Sequence, residues 1–288
     1  MSYKLFSERD LDLAPILKWV GGKRQLMKEI IKYIPNDYNT YYEPFVGGGA
    51  VLFSLQPENA VINDINSELI NVYKVIKNNL IELLEDLKKH KNNEKYFYKI
   101  RELDRSSEYN ELSNVERASR IIFLNKTCYN GLYRVNSLGY FNAPFGKYKN
   151  PKIINEKRLF AIHDYFNNNN IKILNTNYYE ALKDISKNDF VYFDPPYHPI
   201  SESSSFTNYS KDGFDENDQI KLKKVCDELN SKGVKFLLSN SNSKLIKELY
   251  KDYKIEYVNA KRNINSKASK RGAIKEVLVR NYEWNQKW

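Results

Sequence analysis

The sequence predicts an α/β protein built on a mostly parallel sheet and interrupted by one inserted, mainly helical subdomain. Two observations predict it. Short apolar runs of strand length alternate along the chain with segments whose apolar side chains recur every three or four residues, as in a parallel sheet with crossover helices. Between residues 67 and 157 that alternation stops, and helical periodicity continues with no strand between the helices.

In chain order, the expected strands are 41–42, 60–62, 171–174, 190–193 and 234–238. The expected helices outside the insertion cover 25–34, 51–55, 220–229 and 245–250. Asp215 and Ser243 stand where the last two would be capped, because a short side-chain oxygen there can accept from an unpartnered helical N–H. Within the insertion, Leu69, Val72, Tyr73, Ile76, Leu80, Leu83, Leu84 and Leu87 fall on one face of a single long helix. Val115, Ala118, Ile121, Ile122 and Leu124 form a second apolar face. Residues 129–151, YNGLYRVNSLGYFNAPFGKYKNP, combine Gly, Asn, aromatic and basic residues and read as a hairpin and loop. The chain thus divides into a sheet domain, 1–66 and 158–288, and an inserted subdomain, 67–157.

Composition narrows the function classes. With 288 residues, 41% hydrophobic and 14% aromatic, the chain can bury a substantial core. Its net charge of +10 and pI of about 9.2 suit a polyanion such as nucleic acid. The Lys excess accompanies excesses of Asn, Ile and Tyr, the signature of an AT-rich genome, so the position of the charge carries more than its sum. Cys128 and Cys226 are too few for a disulfide framework, and they and the three histidines have no metal-ligand spacing, so reduced thiols and no metal are expected. No apolar run reaches membrane-spanning length and the N-terminus is charged; a soluble, cytoplasmic protein is expected.

Three motifs carry chemistry. EPFVGGG, residues 43–49, lies between an expected strand and an expected helix, where glycines let the backbone approach a ligand closely; taken alone, it fits a tight turn equally well. VINDIN then places Asp64 at the end of the next strand, suited to accept from ribose hydroxyls or to cap the helix that follows. VYFDPPY is the sharpest. An apolar strand ends in Asp194, and Pro195 and Pro196 forbid helix and hold the Asp194 carboxylate and the Pro195 carbonyl in fixed directions. Two acceptors facing one way can grip an amine with two N–H donors, while Tyr197 stacks on the heterocycle that bears it.

With these motifs in hand, the sequence resembles the Dam-like, alpha-group DNA adenine N6-methyltransferases, and among them the GATC-specific enzymes of type II restriction–modification systems. The resemblance runs from Leu17 to Tyr282 through LKWVGGK, EPFVGGG, NDIN, YNGLYRVN, FNAPFGKYKNP and FDPPY, in the family's order. It implies a Rossmann-like S-adenosylmethionine-dependent methyltransferase sheet whose insertion recognises the target. Catalysis is assigned to Asp194, Pro195, Pro196 and Tyr197. Contact with S-adenosylmethionine is assigned to Trp19, Lys23, Asp64 and Asp194, with Phe45, Gly47 and Gly49 forming the turn beside it. The aromatic faces of Trp19 and Phe45 suit a sulfonium.

DNA contact is assigned to Lys18, Tyr129, Asn130, Leu132, Arg134, Pro144 and Tyr148. Arg134 can read guanine O6 and N7 as a bidentate pair, or simply touch phosphate; Tyr129 and Leu132 can fill the space left by a flipped base. One departure stands out. Close relatives often carry an acid after the third strand, whereas this chain has Asn177 there, and Tyr178 is the better candidate for stacking on the cofactor adenine.

The implied reaction moves a methyl group to the N6 amine of a flipped adenine in double-stranded DNA, leaving S-adenosylhomocysteine and needing no metal. A restriction endonuclease acting on the same site is the protein partner the resemblance points to. Residues 198–214 have the polarity of a closing loop, and 261–275 are basic enough for phosphate contacts; either also reads as a solvated loop. The alternatives are an adenine enzyme for a related longer site, an RNA or protein-glutamine methyltransferase, and an inactive DNA-binding homologue. Asp at position 194 and the large insertion favour DNA adenine; intact DPPY and EPFVGGG segments disfavour an inactive protein.

Overall fold

The computed structural model describes residues 12–23, 25–200, 214–261 and 273–284. Its centre is a seven-stranded sheet of β1 (Tyr41–Glu43), β2 (Asn59–Asn63), β3 (Asn170–Leu174), β4 (Phe190–Phe193), β5 (Lys235–Ser241), β6 (Lys254–Lys261) and β7 (Ala273–Arg280), in the order β3-β2-β1-β4-β5-β7-β6. The first five pair in parallel; β7 runs antiparallel to β5, and β6 antiparallel to β7. This mostly parallel α/β sheet is the Rossmann-like architecture expected. All five anticipated strands are present; β6 and β7 are additions that the alternation did not reveal.

Side chains of the central strands point alternately into two cores, as a two-residue period requires. Tyr41, Ile62, Phe190, Tyr192 and Leu237 enter one. Tyr42, Val191, Phe193, Phe236 and Leu238 enter the other, with Leu222, Cys226 and Ile246 packed against them. The latter come from α8 (Glu216–Ser231) and α9 (Lys244–Leu249). As expected, Asp215 and Ser243 cap these two helices, accepting from the N–H groups of Asp218 and Ile246. Both cysteines are buried and free.

The first core includes α1 (Met27–Tyr33), α2 (Ala50–Leu55), α3 (Ser67–Asn78), α4 (Leu80–Leu87), α6 (Asn114–Thr127) and α7 (Glu156–Asn168). The expected single long helix is two, α3 and α4. Asn79 adopts φ −136°, ψ 41° between them, and the spacing from Ile76 to Leu80 concealed the break because the apolar stripe continues across it. Helix α5 (Glu94–Glu102) follows, and a third core of Phe97, Phe123, Leu124, Cys128, Phe141 and Ala143 lies under the expected hairpin, whose arms meet at antiparallel bridges Val135–Phe141 and Cys128–Phe145.

Helix α6 supports that hairpin and opens with a reciprocal capping box. The Ser113 side chain accepts from the Glu116 N–H, and the Glu116 carboxylate accepts from the Ser113 N–H at 2.9 Å. Ser113→Ala is expected to lower stability by about 1 kcal/mol, seen as a lower urea midpoint at unchanged slope. A wild-type midpoint would show that the box contributes nothing. Among the described residues, no helix is long and apolar enough to cross a membrane. The central parts of the two accessory segments, 201–213 and 262–272, lie outside the described residues.

Candidate active site

Strand β1 has β2 on one side and β4 on the other, so the direction of chain winding reverses between β1 and β4. In open α/β sheets such a switch point leaves a crevice at the carboxyl ends of the strands, and ligands collect there. EPFVGGG leaves β1 at this edge, Asp64 follows β2, and Asp194 follows β4. A separate cavity lined by Thr40, Asn170, Lys172 and Asp184 involves the opposite, amino ends of the strands and holds none of the anticipated residues.

The glycine turn is built for close approach. Gly47 and Gly49 have φ of +48° and +73°. A Cβ on Gly49 would lie 2.8 Å from the Phe53 ring, and one on Gly47 would lie 3.1 Å from Trp19. The Gly47 carbonyl accepts from the Tyr73 hydroxyl at 2.7 Å. Asp64 ties the end of β2 to this turn: it accepts from the Gly47 N–H at 3.0 Å and the Asn66 N–H at 2.9 Å. The cap of α3 falls instead to Asn66, whose side chain accepts from the Leu69 N–H. Burial holds the Asp64 carboxyl above its ordinary pKa, opposed by these backbone donors.

Aromatic rings flank the turn. Trp19 stacks on Tyr133 with centroids 4.6 Å apart, and Phe45 stacks on Tyr178 at 5.1 Å, with Phe214 edge-on to Phe45. Asn177, at the departure from the family pattern, uses its side chain to accept from the Tyr179 N–H.

At the DPPY segment, Asp194 is 20% exposed and ion-paired at 2.7 Å with Lys23, which is only 7% exposed. The Lys23 ammonium donates to the Gly21 carbonyl and lies 4.5 Å from the centroid of the Tyr197 ring. Burial raises the Asp194 carboxyl to a pKa of about 6; Lys23 opposes the rise and Glu276 adds to it. Behind the segment, Gln219 donates to the Pro196 carbonyl at 2.9 Å and accepts from Asn240, which itself accepts from the His198 N–H. This clamp was not anticipated. Gln219 and Asn240 sit singly within apolar patterns, and only their burial marks them. Glu43 is likewise buried at the end of β1, bonded to the Tyr41 hydroxyl and pushed well above the usual carboxylate range by burial.

The residues assigned to DNA form a separate group joined to this site by Lys18 and Asn125. The Asn125 side chain accepts from the Lys18 N–H and donates to the Lys18 and Gly131 carbonyls, while the Lys18 ammonium donates to the Asn130 carbonyl. Tyr129, 60% exposed, donates its N–H to the carbonyl of exposed Pro144 across the hairpin. Leu132 is half-buried, and exposed Tyr148 is anchored by Asn92 at its carbonyl. Arg134 braces the hairpin, donating through Nε to Asn142 Oδ1 at 2.8 Å and through Nη2 to the Asn142 carbonyl at 3.1 Å.

The chain is similar to known proteins along most of its length. The family model described as D12 class N6 adenine-specific DNA methyltransferase matches residues 19–264. A Type II methyltransferase of Lactococcus lactis subsp. cremoris is 47% identical over 280 residues, covering 96% of this chain and 99% of that protein. Another, from Methanocaldococcus jannaschii, is 41% identical over 292 residues, covering 94% of this chain and 100% of its own. A DNA adenine methylase of Haemophilus influenzae is 32% identical over 272 residues, covering 92% of each.

Proposed function

This chain belongs to the D12 class of N6 adenine-specific DNA methyltransferases, and from that membership we propose that it methylates adenine in GATC within double-stranded DNA, with Asp194 at the reacting amine. The observation that carries the assignment of Asp194 to the reacting amine is the DPPY carboxylate itself, half-buried at the switch point beside the glycine turn and ion-paired with Lys23. Methyltransferase family membership implies use of S-adenosylmethionine.

The residues at the switch point fit that cofactor: a half-buried carboxylate for the ribose at Asp64, a turn whose glycines carry no Cβ, and the rings of Trp19, Phe45 and Tyr178. When bound, it supplies a methyl group already activated on sulfur. The protein's own task is the amine, whose lone pair is delocalised into the purine ring. Asp194 and the Pro195 carbonyl accept its two N–H groups, disfavouring the planar amine and stabilising the positive charge that develops on nitrogen. Gln219 and Asn240 keep the loop rigid, so these acceptors need little reorganisation. Tyr197 stacks on the flipped base. Lys23 is ion-paired with Asp194 and lies over the Tyr197 ring, the two groups the target would engage, so entry of the target exchanges this ion pair for the hydrogen bond of the amine.

Residues 67–157 serve as the target-recognition unit. Arg134 reads a guanine, Tyr129 and Leu132 fill the vacated stack, and Lys18, Asn130, Pro144 and Tyr148 complete the DNA surface. The resulting mark protects DNA from an endonuclease that cuts the same site; two of the most similar relatives are named Type II methyltransferases.

The site assignment is tested on unmethylated plasmid treated with protein and S-adenosylmethionine. Treated DNA should resist nucleases that cut only unmethylated GATC and yield to those that require the methylated site. Unchanged cleavage by both would contradict GATC.

A further inference from the structure

Strand β7 contributes one side chain to the catalytic edge from outside every recognised motif. Because β7 is antiparallel to β5, it enters the sheet at the edge where the parallel strands end, and its register sets Glu276 opposite Ser241. Val277, Leu278 and Val279 are buried, whereas Glu276 is only partly so and accepts from the Tyr197 hydroxyl at 2.9 Å. We propose that Glu276 is a positioning residue for methyl transfer: its carboxylate fixes the far end of the Tyr197 side chain so that the ring is already aligned when adenine arrives. This rests on the reading of Tyr197 as the stacking platform.

The near end of that side chain is set by Pro195, Pro196 and the Gln219–Asn240 clamp. The hydroxyl lies on the axis about which the ring turns, so the bond to Glu276 fixes the direction of that axis. Until the target takes its place, Lys23, 4.5 Å from the ring centroid, limits rotation about it. Burial, with Asp194 and Glu276 nearby, pushes the Tyr197 hydroxyl well above its ordinary pKa, so it remains a donor throughout the neutral range. With Glu276 absent, the ring is tethered at one end only, and misalignment of the stacked base is costly because transfer requires near-attack geometry.

The test is a double-variant comparison with Glu276→Ala, Glu276→Gln and Tyr197→Phe. The last removes the same bond without altering β7. Glu276→Ala and Tyr197→Phe should each lower kcat about ten-fold with little change in cofactor affinity, and the double variant should be no slower than either. Glu276→Gln, which retains an acceptor, should recover most of the rate. With 2-aminopurine at the target position, both single variants should give brighter bound-state fluorescence, because the flipped base stacks less well. Wild-type kcat in Glu276→Ala, losses that multiply in the double variant, or a Gln variant as slow as the Ala variant would overturn the role. If Glu276→Ala does not fold, Tyr197→Phe decides: wild-type kcat and fluorescence would overturn the role, and the predicted changes would support it. If wild-type protein transfers no methyl to adenine, the underlying reading falls as well, which separates the two failures.

Discussion

Asp194→Ala is expected to abolish measurable methyl transfer while DNA binding persists. The substitution removes the acceptor proposed for the nitrogen where positive charge develops, a class of contact whose loss typically costs about 10²–10³-fold in kcat. It also leaves the Lys23 ammonium, 7% exposed, without its carboxylate partner. Asp194→Asn separates these effects, since an amide oxygen can still accept but carries no charge. The pH dependence follows from the same group. Full stabilisation of the positive charge developing on the amine requires the ionised carboxylate, and burial raises the free group to a pKa of about 6. The acid limb of kcat/KM should therefore rise with pH through about 6, well above an ordinary aspartate. kcat/KM followed over a pH series measures it; a value independent of pH between 5 and 8 would remove Asp194 ionisation from the mechanism.

Arg134→Ala is expected to weaken discrimination at one guanine of the site by about 1–3 kcal/mol while leaving methylation of the intact site detectable. The guanidinium is already fixed by Asn142, which limits its freedom before DNA arrives. Asn142→Ala should thus produce a smaller loss in the same direction. The measurement is competition between the intact site and sites substituted one base at a time. An equal decrease on all sequences would instead make Arg134 a phosphate contact.

Legibility in the sequence followed locality. Strands β1 to β5, the caps Asp215 and Ser243 and the three motifs are short-range patterns, and each stands where the sequence placed it. The sequence reads α3 and α4 as one helix because an apolar period says nothing about a single residue leaving the helical backbone, as Asn79 does. Strands β6 and β7 escaped because they break the strand–helix alternation used to find the others. What could not be read was the polar support. Gln219, Asn240 and Glu276 become partners of the DPPY segment only through long-range sheet register and helix packing, and none belongs to a motif. The likeness to known enzymes named the residues at the carboxyl edge; the structure adds the side chains that hold them.

The central claim is that the half-buried carboxylate after β4 serves transfer to adenine N6. Labelled methyl carried from S-adenosylmethionine into DNA, followed by digestion to nucleosides, tests it most directly. All label should co-migrate with N6-methyldeoxyadenosine and disappear with Asp194→Ala. Label on cytosine, or undiminished label with the variant, would contradict the account.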